Sequence, residues 1–250
     1  MWIKEFQGNE GHVILVHGLG EHAKRYQWLV DLLIPRFGVT LFDLPGHGES
    51  EGKRGHASFS EIFNIIDELV SRHPGCFLMG HSLGGLIAIR YVELRNNVKG
   101  LIVTSPALHL PNSNIALRTV ASIFSILAPA LTFDNGINPN DLSTNPEAVQ
   151  KYVADPLVHR RISARLAADL FKHSQMALKE AHRIKVPTFV AVGSEDRVTL
   201  PTGARQFFEN LTVKDRVLKV YQGSYHELFE DSYNAEVFKL DLLSWLNSHR

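Results

Sequence analysis

Short runs of uninterrupted apolar residues alternate along this chain with longer stretches whose apolar residues recur every three or four positions. His12–Val16, Val39–Phe42, Cys76–Met79, Leu101–Thr104, Thr188–Val192 and Val217–Tyr221 are the short runs. A strand buried on both faces needs such a run, because neither side of its pleat meets water. Between them, Tyr26–Ile34, stopped by Pro35, and Leu83–Leu94 read as helices, and Val237–Leu246 reads as a closing one. Ser58-Phe59-Ser60-Glu61 has the spacing of a capping box. The helix it opens carries Ile62, Ile65, Ile66, Leu69 and Val70 on one stripe and ends near Pro74. Strands alternating with helices predict an α/β fold, a mostly parallel central sheet with helices on both faces.

Roughly 80 residues of helical, loop-rich sequence separate the runs near Thr104 and Thr188, too many for an ordinary crossover. The expectation is one domain over 1–250 with a helical cap inserted at about 108–183. Such a cap would cover the carboxyl ends of the strands, where open α/β sheets place their ligands. Its most apolar window, Ile115 to Phe133, is near the lower length limit for a membrane span. It contains Arg118, Thr119, Ser122, Ser125 and Pro129, however, and sits inside the folded pattern.

Lysine plus arginine equals aspartate plus glutamate, at 26 each, so the basic footprint of a nucleic-acid binder is missing. The single cysteine, Cys76, starts an apolar run and reads as a buried, inert thiol. The amino terminus lacks the charged-then-apolar order of a secretory signal. The expectation is a soluble cytoplasmic protein. No cysteine cluster and no H-E-x-x-H is present, so no metal site is expected, and no cofactor.

Candidate chemistry begins at Gly80-His81-Ser82-Leu83-Gly84, which matches the G-x-S-x-G nucleophile elbow. The pattern alone is common by chance. Here it falls between a strand and a helix, the context its mechanism requires. A serine on so tight a turn has a strained backbone, and side chains two residues away would clash. Two N–H donors are needed for a tetrahedral oxyanion. Leu83 follows the nucleophile, and Leu19 in His17-Gly18-Leu19-Gly20 lies in the loop after an early strand. A serine hydroxyl also needs a base, and the base a carboxylate, in the chain order Ser, Asp or Glu, His. Asp196 follows the run Thr188–Val192, and His226 follows Val217–Tyr221, so both fall at strand carboxyl ends with Ser82. Of 13 histidines, only His226 combines this order with that position; His17, His47 and His81 suit structural hydrogen bonds. Glu195 is the rival acid, longer and one residue off.

His17-Gly18-Leu19-Gly20-Glu21-His22 with Arg25-Tyr26, and Asp43-Leu44-Pro45-Gly46-His47-Gly48-Glu49-Ser50-Glu51-Gly52, resemble the monoacylglycerol lipase and lysophospholipase group of α/β-hydrolases. The elbow with Gly85, Tyr225-His226-Glu227-Leu228, and Asp155-Pro156-Leu157-Val158 are similar to that group too. The resemblance implies the α/β-hydrolase fold, a triad of Ser82, Asp196 and His226, and N–H donors at Leu19 and Leu83. It implies a cap that admits one acyl chain and releases fatty acid and glycerol. The short amino terminus implies a sheet without its usual first strands.

A lipophilic substrate also has a physical argument. Ile115, Leu117, Val120, Ile123, Phe124, Ile126, Leu127, Leu131 and Phe133 are too widely spread for one buried stripe. A helix apolar all round needs burial on several sides, lines a pocket or touches membrane. Ile123, Phe124 and Leu127 are the candidate substrate contacts, with transient membrane contact through the cap. The later stripe Ile162, Leu166, Leu170, Ala177 and Leu178 reads as packing of cap on core. The expected activity is a serine carboxylesterase on monoacylglycerols or related single-chain esters. Lysophospholipase, thioesterase, acyltransferase and aminopeptidase readings keep the same triad, and a lipid-binding receptor on a hydrolase scaffold stands outside catalysis.

Overall fold

The computed structural model describes residues 1–111 and 115–250, apart from the side chains at 115 and 117. In chain order the elements are β1 (Ile3–Phe6), β2 (Gly11–Val16), α1 (Gln27–Leu33), β3 (Phe37–Phe42), α2 (Phe59–Arg72), β4 (Phe77–His81), α3 (Leu83–Arg95) and β5 (Gly100–Thr104). There follow α4 (Ile115–Leu127), β6 (Thr132–Asp134), α5 (Pro146–Ala154), β7 (Arg161–Ser163) and α6 (Ala164–Glu180). The chain closes with β8 (Thr188–Gly193), α7 (Pro201–Asn210), β9 (Arg216–Tyr221) and α8 (Ala235–Ser248). Seven strands form one sheet in the order β1-β3-β2-β4-β5-β8-β9, parallel except for β1.

Apolar side chains on alternate faces of each strand feed two cores. Ile14, Val16, Leu78 and Val103 point to the side covered by α2, α3 and α6, where Ile62, Ile66, Leu86 and Leu166 meet them. Val13, Leu15, Met79 and Ile102 point to the other side, against Leu29 and Leu33 of α1 and Phe238, Leu242 and Leu246 of α8. That division explains why the strand sequences are continuously apolar. Ser58 caps α2 as its spacing predicts, its hydroxyl accepting the Glu61 N–H at 3.3 Å.

The amino terminus contributes a strand that the apolar pattern does not reveal. In β1 only Ile3 and Phe6 face inward, and the strand pairs antiparallel on the sheet edge, with Ile3 opposite Phe42. The 105–187 stretch holds α4 to α6 and a small β6–β7 ladder. It is tied to loops that leave the carboxyl ends of β2, β3 and β9. His159 N–H donates to Gly20 O at 2.8 Å, Ser163 N–H to Gly55 O at 2.9 Å, and Glu227 N–H to Leu142 O at 2.7 Å.

The turn between β4 and α3 is closed by glycine. A Cβ on Gly84 would lie 2.0 Å from the Val16 carbonyl oxygen, and one on Gly80 would lie 2.2 Å from the Gly84 oxygen. Both obstacles are backbone, which cannot swing aside as a side chain can. Gly84→Ala should therefore destabilise the protein by about 1–3 kcal/mol or more, in the range of core overpacking, read as a lower midpoint in urea with an unchanged slope.

Candidate active site

Ser82 sits between β4 and α3 with φ 54° and ψ −117°, a left-handed backbone that costs free energy in any residue with a side chain. Three hydrogen bonds fix it. Its N–H donates to Thr104 O at 3.0 Å, and its carbonyl accepts from Leu86 N at 3.1 Å and Ala107 N at 3.0 Å. The serine is held at the amino terminus of a 13-residue helix, whose first N–H groups lack partners within the helix.

Asp196 and His226, thirty residues apart, meet on the neighbouring loops. His226 Nδ1–H donates to Asp196 Oδ2 at 2.8 Å, and both residues are buried. The second carboxylate oxygen accepts from Val198 N and Thr199 N, each at 2.9 Å. Burial acts to raise the Asp196 pKa, but the His226 charge and these donors together hold it below the usual carboxylate value. For His226, burial acts against the charged form, while the Asp196 carboxylate and its hydrogen bond outweigh it, so the pKa is raised above 6.5. Among the described residues no hydrogen bond joins Ser82 Oγ to His226. The His81 ring, next to Ser82, lies 4.8 Å from the His226 ring.

Burial lowers the pKa of three other buried histidines, His17, His47 and His81. His17 Nε2 accepts from Leu44 N at 3.0 Å while Nδ1–H donates to Gly18 O at 2.8 Å, and burial lowers its pKa. Burial first, and the His226 charge second, push His81 down to about 3; His81 Nδ1 is 2.9 Å from Thr104 Oγ1. Cys76 is buried, and burial pushes its thiol up to about 12.

One guanidinium joins the loop after β2 to the loop of His226. Arg25 Nη1 donates to Glu21 Oε2 at 2.6 Å and to Glu227 Oε1 at 2.7 Å, while Nη2 donates to Glu227 Oε2 at 2.8 Å. Glu21 Oε1 in turn accepts the Gly18 N–H at 2.6 Å and the Tyr26 hydroxyl at 2.7 Å. Burial opposes ionisation of Glu21, but Arg25 and the nearby donors bring its pKa to about 2. Tyr152 of α5 covers the guanidinium, its ring centre 4.8 Å away, and Asp155 takes the His22 Nε2–H at 2.8 Å. Gly20, at φ +80°, leaves room for this seam, since a Cβ there would meet the His159 oxygen at 2.4 Å.

A cavity of about 500 Å³ opens on Ser82, within the usual range for ligand sites. Leu19 and Leu83 line it beside the serine, and neither gives its N–H to another group among the described residues. Its apolar wall includes Leu110, Val120, Phe124, Phe133, Ile162, Leu170 and Phe171, and Asn135, Asn138, Asp141 and Arg197 supply polar groups. Phe124 is therefore a wall residue. Ile123 and Leu127 are not, because they lie on the outer face of α4, the latter 75% exposed. The expected packing stripe is present: Leu166, Leu170 and Ala177 are core and Ile162 and Leu178 pack against it, while Ile162 and Leu170 also line the cavity. Ile115 and Leu117 have side chains outside the described residues. Glu195 is exposed, unlike Asp196.

The strand order, the strained serine at the elbow and the buried carboxylate–imidazole pair define an α/β-hydrolase. The chain belongs to the serine aminopeptidase S33 family, whose family model matches residues 7–233. Among solved structures it is similar to the monoacylglycerol lipase of Paleococcus ferrophilus, at 45% identity and TM-score 0.97 over 100% of this chain and 99% of that one. It is also 32% identical to a monoacylglycerol lipase of Mycolicibacterium smegmatis, over 96% of this chain and 89% of that protein. A phospholipase of Bacillus subtilis is 30% identical over 96% of both.

Sequence reasoning missed the partners of Glu21, Arg25 and Glu227 and the place of Thr199, although charges inside otherwise apolar motifs were the available signal. Removing the shared cation leaves two buried carboxylates unpaired. Arg25→Met should therefore cost about 3–5 kcal/mol of unfolding free energy, measured by guanidinium denaturation, far more than loss of an exposed arginine.

Proposed function

We propose that this protein is a serine carboxylesterase that hydrolyses monoacylglycerols to fatty acid and glycerol through an acyl-enzyme. The observation that carries the reading is the buried Asp196–His226 hydrogen bond beside a strained serine facing a largely apolar cavity. Similarity to two monoacylglycerol lipases supports the substrate class.

In this reading Ser82 Oγ attacks the ester carbonyl and passes its proton to His226 Nε2. Asp196 keeps the imidazole in the tautomer with Nδ1–H and stabilises the imidazolium. The oxyanion takes the Leu19 and Leu83 N–H groups, aided by the amino terminus of α3. His226 then protonates the departing glycerol oxygen. A water, deprotonated by the same imidazole, attacks the acyl-Ser82 carbonyl and releases the fatty acid. The Ser82–His226 hydrogen bond forms as substrate binds, as contacts of this kind tighten in the Michaelis complex. The acyl chain lies along Leu110, Phe124, Ile162, Leu170 and Phe171, where each buried methylene gains about 0.8 kcal/mol, and glycerol faces the polar side chains.

The outer face of α4 gives the protein a way to reach substrate in a lipid surface. Ile126 is 81% exposed there, beside Ile123 and Leu127, and an exposed apolar patch of this kind suits membrane contact. No described helix is long and apolar enough to cross a membrane.

Ser82→Ala should lower kcat on p-nitrophenyl butyrate by about 10⁴-fold or more, and activity retained after that change would discard the mechanism. The base must be neutral to work, and its pKa is raised, so kcat/KM should decline as pH falls through a value above 6.5. Asp196→Asn should carry that decline to lower pH while reducing kcat. A series of monoacylglycerols, diacylglycerols and lysophospholipids should give the highest kcat/KM for monoacylglycerols; preference for lysophospholipids would replace the substrate assignment but keep the triad. Ile126→Glu should weaken flotation with phosphatidylcholine vesicles and leave turnover of the soluble ester unchanged.

A further inference from the structure

We propose that the Thr199 side-chain hydroxyl is a positioning group for the reaction, completing the hydrogen-bond shell of the Asp196 carboxylate and tempering the basicity of the Asp196–His226 pair. The inference rests on the ester-hydrolase reading above and adds a residue that acts through the acid rather than on substrate.

Thr199 is buried at the cavity wall and addresses both oxygens of the acid. Its N–H donates to Asp196 Oδ1 at 2.9 Å, and its Oγ1 lies 2.9 Å from Asp196 Oδ2. The same Oγ1 is 3.0 Å from the Ser105 carbonyl oxygen and 3.3 Å from His226 Nδ1. Any residue at this position could supply the backbone contact. The hydroxyl contact needs a side chain that donates.

A hydroxyl has one proton, and two acceptors compete for it here. The ionised carboxylate is the stronger, because a charged acceptor roughly doubles the bond. The proton therefore rests on Asp196 Oδ2, with the Ser105 carbonyl as the alternative. Asp196 then accepts four donors: Val198 N–H and Thr199 N–H on Oδ1, and His226 Nδ1–H and the Thr199 hydroxyl on Oδ2. A carboxylate has about four lone-pair sites. All are occupied, so the group cannot rotate without breaking a bond, and the imidazole direction is set with it. Ser105 holds the other end, since its hydroxyl donates to the His226 carbonyl at 2.7 Å.

The sign of the electrostatic effect follows from the titration of the pair as a unit. Deprotonated, the pair carries one net negative charge; with the imidazolium formed, it carries none. A donor on the carboxylate stabilises the negative state more than the neutral one. Deleting the hydroxyl therefore makes the pair bind its proton more tightly. The other groups that face His226 are His81 from β4, Glu21 from the loop after β2, and Glu227 on its own loop, held by Arg25. None of them touches the Thr199 hydroxyl, so a change at 199 leaves their contacts in place.

The test compares the pH dependence of kcat/KM on p-nitrophenyl butyrate for wild type, Thr199→Val and Thr199→Ser, with active enzyme counted by fluorophosphonate labelling of Ser82. Thr199→Val preserves shape and deletes the donor, and should move the acid limb upward by about 0.5–1 pH unit. It should also lower kcat several-fold at the plateau, with KM little changed. Thr199→Ser restores a hydroxyl and should keep the wild-type limb. Should Thr199→Val fail to fold, Thr199→Cys supplies the second variant, and its weakly donating thiol should shift the limb in the same direction. A limb that stays in place when the hydroxyl is gone, or moves equally in Thr199→Ser, overturns the proposal. With Ser82 still labelled, that result leaves the esterase reading intact; wild type that neither labels nor turns over ester sinks both.

Discussion

The site depends on one nearly enclosed cation, the Arg25 guanidinium, whose side chain is 10% exposed. Arg25 lies between Glu21 and Glu227, which are separated by most of the chain, and its guanidinium plane satisfies both. Glu21 reaches back to the Gly18 N–H and so shapes the loop that presents Leu19. Glu227 adjoins His226 and so shapes the loop that carries this imidazole. The Leu19 loop and the His226 loop are thus fixed relative to each other by a bidentate ion pair, whose planar geometry a lysine could not reproduce. Tyr152 extends the clamp to the segment above, so the wall of the cavity is referenced to the same point. Enclosing three charges is expensive, and the cost is offset because each of the four carboxylate oxygens has a donor.

The motifs that carry the family resemblance acquire a physical meaning here. In His17-Gly18-Leu19-Gly20-Glu21-His22, each residue outside Leu19 has a structural task. His17 bridges Gly18 and Leu44, Glu21 holds Gly18 and Tyr26, and His22 docks on Asp155. Asp155, one of the residues that carry the resemblance, receives His22 across 133 residues. The buried histidines near the serine stay neutral because burial outweighs nearby carboxylates. His226 differs because a carboxylate donates nothing and faces it directly.

The sheet was legible because burial on two faces leaves an unmistakable apolar run, and the elbow because its glycines are sterically compelled. Places of ambiguity have equally concrete causes. In α4, Ala121 and Phe124 turn inward while Ile123, Ile126 and Leu127 turn outward. Each set has helical spacing, so periodicity alone could not choose which faced the cavity. In α6 the same spacing serves core and cavity, and Leu170 belongs to both. The strand β1 escaped notice because an edge strand buries only part of itself. The Arg25 clamp joins residues 202 apart, and no local pattern encodes that distance.

Strain at Ser82 closes the argument, because a left-handed serine survives only where its surroundings over-determine it. α3 is buried on nearly every side, so the helix cannot shift to relieve the turn. On the strand side, β4 is held between β2 and β5. Ser82 itself is bonded to β5 through Thr104 and to the following loop through Ala107, and Gly84 lies against the end of β2. Four elements therefore meet at one residue, and the central strand of the sheet leads to the hydroxyl. Asp196 and His226 stand instead on loops, buried and joined to each other by a hydrogen bond. That division suits the proposed chemistry, in which the imidazole closes on the serine as substrate binds while the serine stays fixed.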